Sequence, residues 1–139
     1  MKPDLLKTKF PVPSSMSTGT SGNINKSYEE IVSSLLSFTT SLRLWHWATT
    51  SYAQHKAFEE TEGSLRSNLD AFVENTNFTK FSITSLSTDS YQNRDEVIKK
   101  MHQKLKALAD SLNDKLDVQD IVLAMMQDLN KLTYLLKLS

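Results

Sequence analysis

Leu42-Arg-Leu-Trp-His-Trp-Ala-Thr-Thr-Ser-Tyr-Ala-Gln-His55 is the stretch on which the fold turns. Upstream of and into it run Tyr28, Ile31, Leu35, Phe38, Leu42 and Trp45, at intervals of three and four residues, the signature of one apolar helical seam. A second seam begins where the stretch ends: His55, Phe58, Glu62, Leu65, Leu69 and Phe72. Between them Thr49-Thr50-Ser51 are weak helix formers and mark a turn. No proline or glycine enforces that turn, so a continuous helix stays open as an alternative. His55 and Glu62 stand on an otherwise apolar seam and need a reason, because an unpaired buried charge is expensive.

Working outward, the spacing predicts a first helix over about 27–47, with Ser27 as N-cap and Glu30 as its capping-box partner, and a second over about 51–75. Ile98, Met101, Leu105, Leu108 and Leu112 predict a third over about 94–112, capped by Asn93 with Glu96. Val118, Val122, Met125, Leu129, Leu132 and Leu136 predict a fourth over about 118–138, capped by Asp117. Residues 76–93 form a long Ser/Thr/Asn-rich connection whose Phe78, Phe81, Ile83, Leu86 and Tyr91 imply packing against the domain. Short, long and short connections make two antiparallel hairpins joined by a crossover, where an up-down-up-down bundle needs only short loops. The expected fold is all-α: a four-helix bundle over residues 26–139 with the long crossover between its second and third helices, preceded by an extended N-terminal tail over residues 1–25.

Composition supports this. A chain of 139 residues fits one domain, and two of its three glycines and all three prolines lie within the first 22 residues, leaving the rest free of helix breakers apart from Gly63. The tail, with Phe10-Pro-Val-Pro13 and a Ser/Thr/Gly run, carries too little apolar surface to fold alone. It is either a flexible terminus or an arm that docks on a protein partner through Leu5, Leu6, Phe10 and Val12. There is no cysteine, which excludes disulfides and thiolate metal sites. Sixteen basic and sixteen acidic residues balance, so no strong nucleic-acid signal exists. No apolar run has the length of a membrane span and the N-terminus lacks the features of a signal peptide, so the expected setting is the cytoplasm, or a virus particle or infected cell. Asn25-Lys-Ser and Asn77-Phe-Thr are then chance sequons. The lysines around His102 read as a solvated helix face, with His102 pointing outward.

Four residues are candidate metal ligands: His46, His55, Asp70 and Glu74. Imidazole with carboxylate suits iron, and other divalent metals as well. Asp70 and Glu74 are one turn apart on one helix face. His55 and Asp70 are 15 residues apart, about 22 Å along a helix, so they cannot share a metal within one chain. A two-fold dimer with antiparallel second helices would set His46 and His55 of one copy against Asp70 and Glu74 of the other, twice. The chain is therefore expected to form at least a homodimer through its second helix. Each residue also has an ordinary reading: a satisfied histidine near a helix end, a solvated carboxylate face, and packing for Trp45 and Trp47. A single-chain arrangement of His55, Glu59 and Glu62 is a further option, although the Glu-x-x-His pairs of intrachain di-iron bundles are missing.

His46-Trp47, His55, Asp70 and Glu74 together resemble the ferritin-like superfamily, and within it the Dps-type mini-ferritins. The Leu42–His55 stretch is also similar to short ferritin-like proteins of phages and large DNA viruses. The segment from His46 to His55 is shorter than in the mini-ferritins, which implies a tighter turn. The resemblance implies an intersubunit iron site that oxidises or sequesters iron, with Trp47 packed beside it. The rival expectation is a catalytically silent bundle serving as an assembly or minor structural protein, for example of a virus particle. The residues leave open whether the chain is an enzyme.

Overall fold

The computed structural model describes residues 21–76 and 82–139, with side chains from Tyr28 onward. Four helices carry the chain: α1 (Ser21–Ala48), α2 (Tyr52–Asn75), α3 (Arg94–Asp110) and α4 (Leu116–Leu138), with one 3₁₀ turn at Tyr91–Asn93. No strand occurs among the described residues. Residues 1–20 of the expected tail, including Leu5, Leu6, Phe10 and Val12, lie outside the described residues, as do Phe78, Phe81 and the Asn77 sequon.

The seams pack as their spacing predicts. Leu35, Leu42, Phe58, Leu65, Phe72, Leu105, Val122, Met125, Leu129 and Leu132 have no exposed surface, and Trp45 is buried among them. A fully buried side chain of this size contributes about 1.5–3 kcal/mol. T-shaped aromatic contacts link Phe38 to Trp45 and Trp45 to Phe58, at 6.0 and 5.8 Å.

Side-chain bonds give the helix directions. Arg43 reaches Glu62 across α1 and α2, and Ser64 and Asn68 of α2 reach Asp128 of α4. Gln54, at the start of α2, donates to Ser139 just beyond the end of α4. Both pairs are therefore antiparallel, and α3–α4 is antiparallel as well, since Gln119 donates to the Ala109 carbonyl across a short turn. Tyr91 donates to Gln54, placing the start of α3 beside the start of α2. Helices α2 and α3 thus run the same way, which a hairpin cannot provide.

The described part of the connection, residues 82–90, lies along α1 as a strap. Ser82 N–H donates to Glu29, Ser87 N–H to Ser37, and Asp89 N–H to Ser41, while Trp45 Nε1 donates to the Asp89 carbonyl. An extended chain rises about 3.3 Å per residue against about 1.5 Å in a helix, so seven strap residues cover more than three turns of α1. The strap returns the chain to the end of the bundle where α2 began.

Two predicted caps are corrected, and a third holds its place without a capping bond. Helix α1 begins at Ser21, so Ser27 lies inside it, as do residues 21–25 of the expected tail. Asn93 precedes α3 but its side chain makes no capping bond. Helix α4 starts at Leu116, which puts Asp117 in the first turn, where its charge favours the helix dipole, instead of at the cap. Helix α3 also stops at Asp110, two residues short of the expected end. The α1–α2 break is real: Ser51 caps α2 by accepting from Gln54 N–H at 3.2 Å.

Candidate functional site

The turn between α1 and α2 is closed by its own polar residues. Thr49 N–H bonds the Trp45 carbonyl, and the Thr49 hydroxyl donates to Gln54 and accepts from Ser51 N–H. Gln54 also meets Tyr91 and Ser139, so one side chain ties together the turn, the start of α3 and the C-terminus. This closure brings His46, on the last turn of α1, against His55, on the first turn of α2. Their ring centroids are 3.9 Å apart at an interplanar angle of 54°.

Both histidines are half-buried. His55 Nδ1 lies 3.2 Å from the His46 carbonyl oxygen. As the Nδ1–H tautomer it donates there, leaving Nε2 with its lone pair, the arrangement metal-binding imidazoles use. Tyr52 stacks on the outer side of His55 at 6.2 Å. His46 Nδ1 is buried with no hydrogen-bond partner. Glu59, one turn along α2 from His55, pairs with Lys56. Its carboxyl is held below the usual carboxylate range chiefly by that hydrogen bond and the Lys56 charge, with lesser help from His46 and His55.

Asp70 and Glu74 stand exposed near the other end of α2, about 22 Å from His55. They flank a groove lined by Val32, Leu36, Leu69, Val73, Ile83 and Leu86, between α1, α2 and the strap. The structure therefore brings the two imidazoles together and the two carboxylates together, and keeps the pairs apart. Among the described residues, no group of three or more His, Asp or Glu is arranged to hold a metal ion.

Glu62 has a structural explanation. It is 6 % exposed and accepts from Arg43 of α1 at 2.9 Å and from Arg66 one turn along α2. Two guanidinium partners offset its desolvation, and Glu62 in turn raises the Arg43 pKa, through the hydrogen bond first and its charge second. The Arg66 partner was visible as an i,i+4 spacing, whereas Arg43 comes from helix packing. Trp47 is 66 % exposed, with the Arg43 guanidinium 5.9 Å from its ring centroid. The outward reading of His102 is corrected: it is half-buried, its Nε2 is closed from solvent without a partner, and it lines a cleft between α3 and α4.

No helix among the described residues is long and apolar enough to cross a membrane. No curated protein matches the chain, and no solved structure does. A protein-family model matches residues 46–136, more than half of the chain. The match opens at His46 and takes in His55, Asp70, Glu74, helices α2 and α3, and α4 as far as Leu136. The chain therefore belongs to the family described as "Family of unknown function (DUF5856)".

Proposed function

We propose that this protein is a ferritin-like metal-binding protein, with iron as its substrate, whose site forms between two copies paired through antiparallel α2 helices. His46 and His55 of one copy supply nitrogen donors. Asp70 and Glu74 of the other supply oxygen donors and neutralise the metal's charge. The observation that carries this reading is the division of the four donors between the two ends of the α1–α2 hairpin: two rings 3.9 Å apart at the turn, and two exposed carboxylates one turn apart near the far end of α2. The pairing of α1 with α2, α2 with α4 and α3 with α4, together with the strap along α1, is what a ferritin-like crossover requires.

Iron bound there would bring its one-electron chemistry, Fe(II) being oxidised as oxygen or peroxide is reduced. The chain's own residues do the rest. The His46 carbonyl fixes the His55 tautomer and points Nε2 away from the backbone. The Ser51 cap and the Gln54 hydrogen bonds hold the two rings in place. Glu59, kept charged beside Lys56, adds negative potential near the rings.

A silent assembly or structural protein, for example of a virus particle, is the second reading. It draws on the fact that Glu62 and His55 both have partners within the chain and need no metal to justify them. The experiment is anaerobic Fe(II) titration of metal-free protein, with bound metal and solution mass both measured. Asp70→Asn is expected to lower iron binding by about tenfold or more, by removing a charged ligand, without loss of helix content. Equal iron uptake by wild type and Asp70→Asn would favour the structural reading.

A further inference from the structure

Trp47 is a large exposed aromatic with no core role, and the groove beside Asp70 and Glu74 is a large apolar recess. Both lie on the outward face shared by α1 and α2. Trp47 and Leu36 are eleven residues apart, three turns within about 20°, and so sit on one side of α1. At the turn end this face projects Trp47, flanked by Leu44 at 40 % and Tyr52 at 76 % exposure. At the far end it recedes into a groove of about 830 Å³ whose α1 and α2 walls are Val32, Leu36, Leu69 and Val73.

We infer that a second copy of this chain fills the groove, inserting its Trp47, around a two-fold axis that passes by Gly63. The inference rests on the α2 pairing proposed above and adds the occupant and the register. Three independent features agree on that axis. Gly63 is exposed, and a Cβ built there would meet nothing within 4 Å, so the backbone at this point is open to close approach by another helix. Charges equidistant from Gly63 are opposite in sign. Lys56 falls against the partner's Asp70 and Glu60 against the partner's Arg66, as a self-complementary contact demands. The third feature is the level of the knob and the hole. The Arg43–Glu62 bond sets which turn of α1 lies beside Gly63. Reflected about that level, Trp47 lands on the turn that carries Leu36, opposite Leu69, inside the groove. The same operation carries the histidine end of one copy to the carboxylate end of the other.

The test is sedimentation equilibrium of metal-free, chelator-treated protein from micromolar to near-millimolar concentration. Wild type is expected at twice its 15.8 kDa chain mass. Trp47→Ala and Gly63→Arg, both at exposed positions, are expected to weaken dimerisation by more than about tenfold with unchanged circular dichroism. Lys56→Asp and Asp70→Lys should each weaken it, and the double variant should restore it. In a Trp45→Phe background, Trp47 emission should shift to the blue as concentration rises. A monomeric wild type overturns the inference, as does a dimer indifferent to either Trp47→Ala or Gly63→Arg. The latter result would assign the groove to another part of the chain or another partner. The metal reading fails separately: if Trp47→Ala dissociates the dimer but Asp70→Asn leaves iron uptake unchanged, the interface stands and the iron site falls. If Asp70→Asn lowers uptake while Trp47→Ala leaves the dimer intact, the iron site stands and this docking falls.

Discussion

The two ends of the α1–α2 hairpin hold equal numbers of candidate donors in opposite states. At the turn end, His46 and His55 are half-buried, tilted against one another, and held by a turn in which Thr49, Ser51 and Gln54 satisfy one another. At the far end, Asp70 and Glu74 stand exposed at the rim of an apolar groove. The difference teaches that donor type and spacing do not set how ordered a donor is; the neighbours that close over it do. The rings have given up their rotamer freedom on folding. The carboxylates keep theirs and must lose it on binding, a cost of about 0.5–1.5 kcal/mol for each side chain.

The largest expected effect breaks the closed end. Trp45 packs between Phe38 and Phe58 and donates to the Asp89 carbonyl of the strap. Trp45→Ala should cost about 3–5 kcal/mol in denaturant unfolding, through the cavity and the released strap. Asp70→Asn at the open end should stay within about 0.5 kcal/mol of wild type in the same assay. Comparable losses from the two would show that the ends do not differ in packing.

A smaller change isolates the turn. Ser51→Ala removes the cap of α2 and should cost about 1 kcal/mol. Hydrogen exchange should speed up in the first turn of α2, around His55, and not near Asp70. Uniform acceleration along α2 would mean that the cap acts on the whole helix.

The smallest effect lies between the ends, where Asp128 of α4 meets Ser64 and Asn68. Burial pushes its carboxyl up, and the two hydrogen bonds offset this only in part. A raised folded-state pKa means that its contribution is fully present below the ordinary carboxylate range and is lost as pH rises through the folded value. At neutral pH the charged form is therefore a burden, and Asp128→Asn relieves it. After solvent screening of a half-exposed group, the gain should be a few tenths of a kcal/mol, about 1–2 °C in Tm, and absent in strong acid. A Tm that falls at neutral pH would show that the charge strengthens the Ser64 and Asn68 bonds by more than its desolvation costs.

Much of this was legible along the chain. The seams from Ile31 to Trp45 and from Phe58 to Phe72 are buried where their spacing placed them, with Tyr28 and His55 half-buried at their starts. The break at Thr49-Thr50-Ser51 is where weak helix formers and a capping serine coincide. Ser27 and Asp117 misled because a residue suited to a cap does not end a helix when the chain beyond it can also coil, whereas Asn93 holds the expected cap position without a side-chain bond. The anomaly at Glu62 was visible and its remedy only half so: Arg66 is local in sequence, while Arg43 arrives from another helix.

The sequence by itself determined four amphipathic helices, their long and short connections and the identity of the donors, because helix periodicity and chain length act locally. Only the tertiary structure decided which faces meet. It set the histidine rings together, left the carboxylates in the open, turned His102 toward a cleft, ran the strap along α1 and shaped the groove beside Asp70 and Glu74. Those outcomes depend on contacts between residues tens of positions apart, whose energies arise from desolvation and close packing and leave no period in the chain that encodes them.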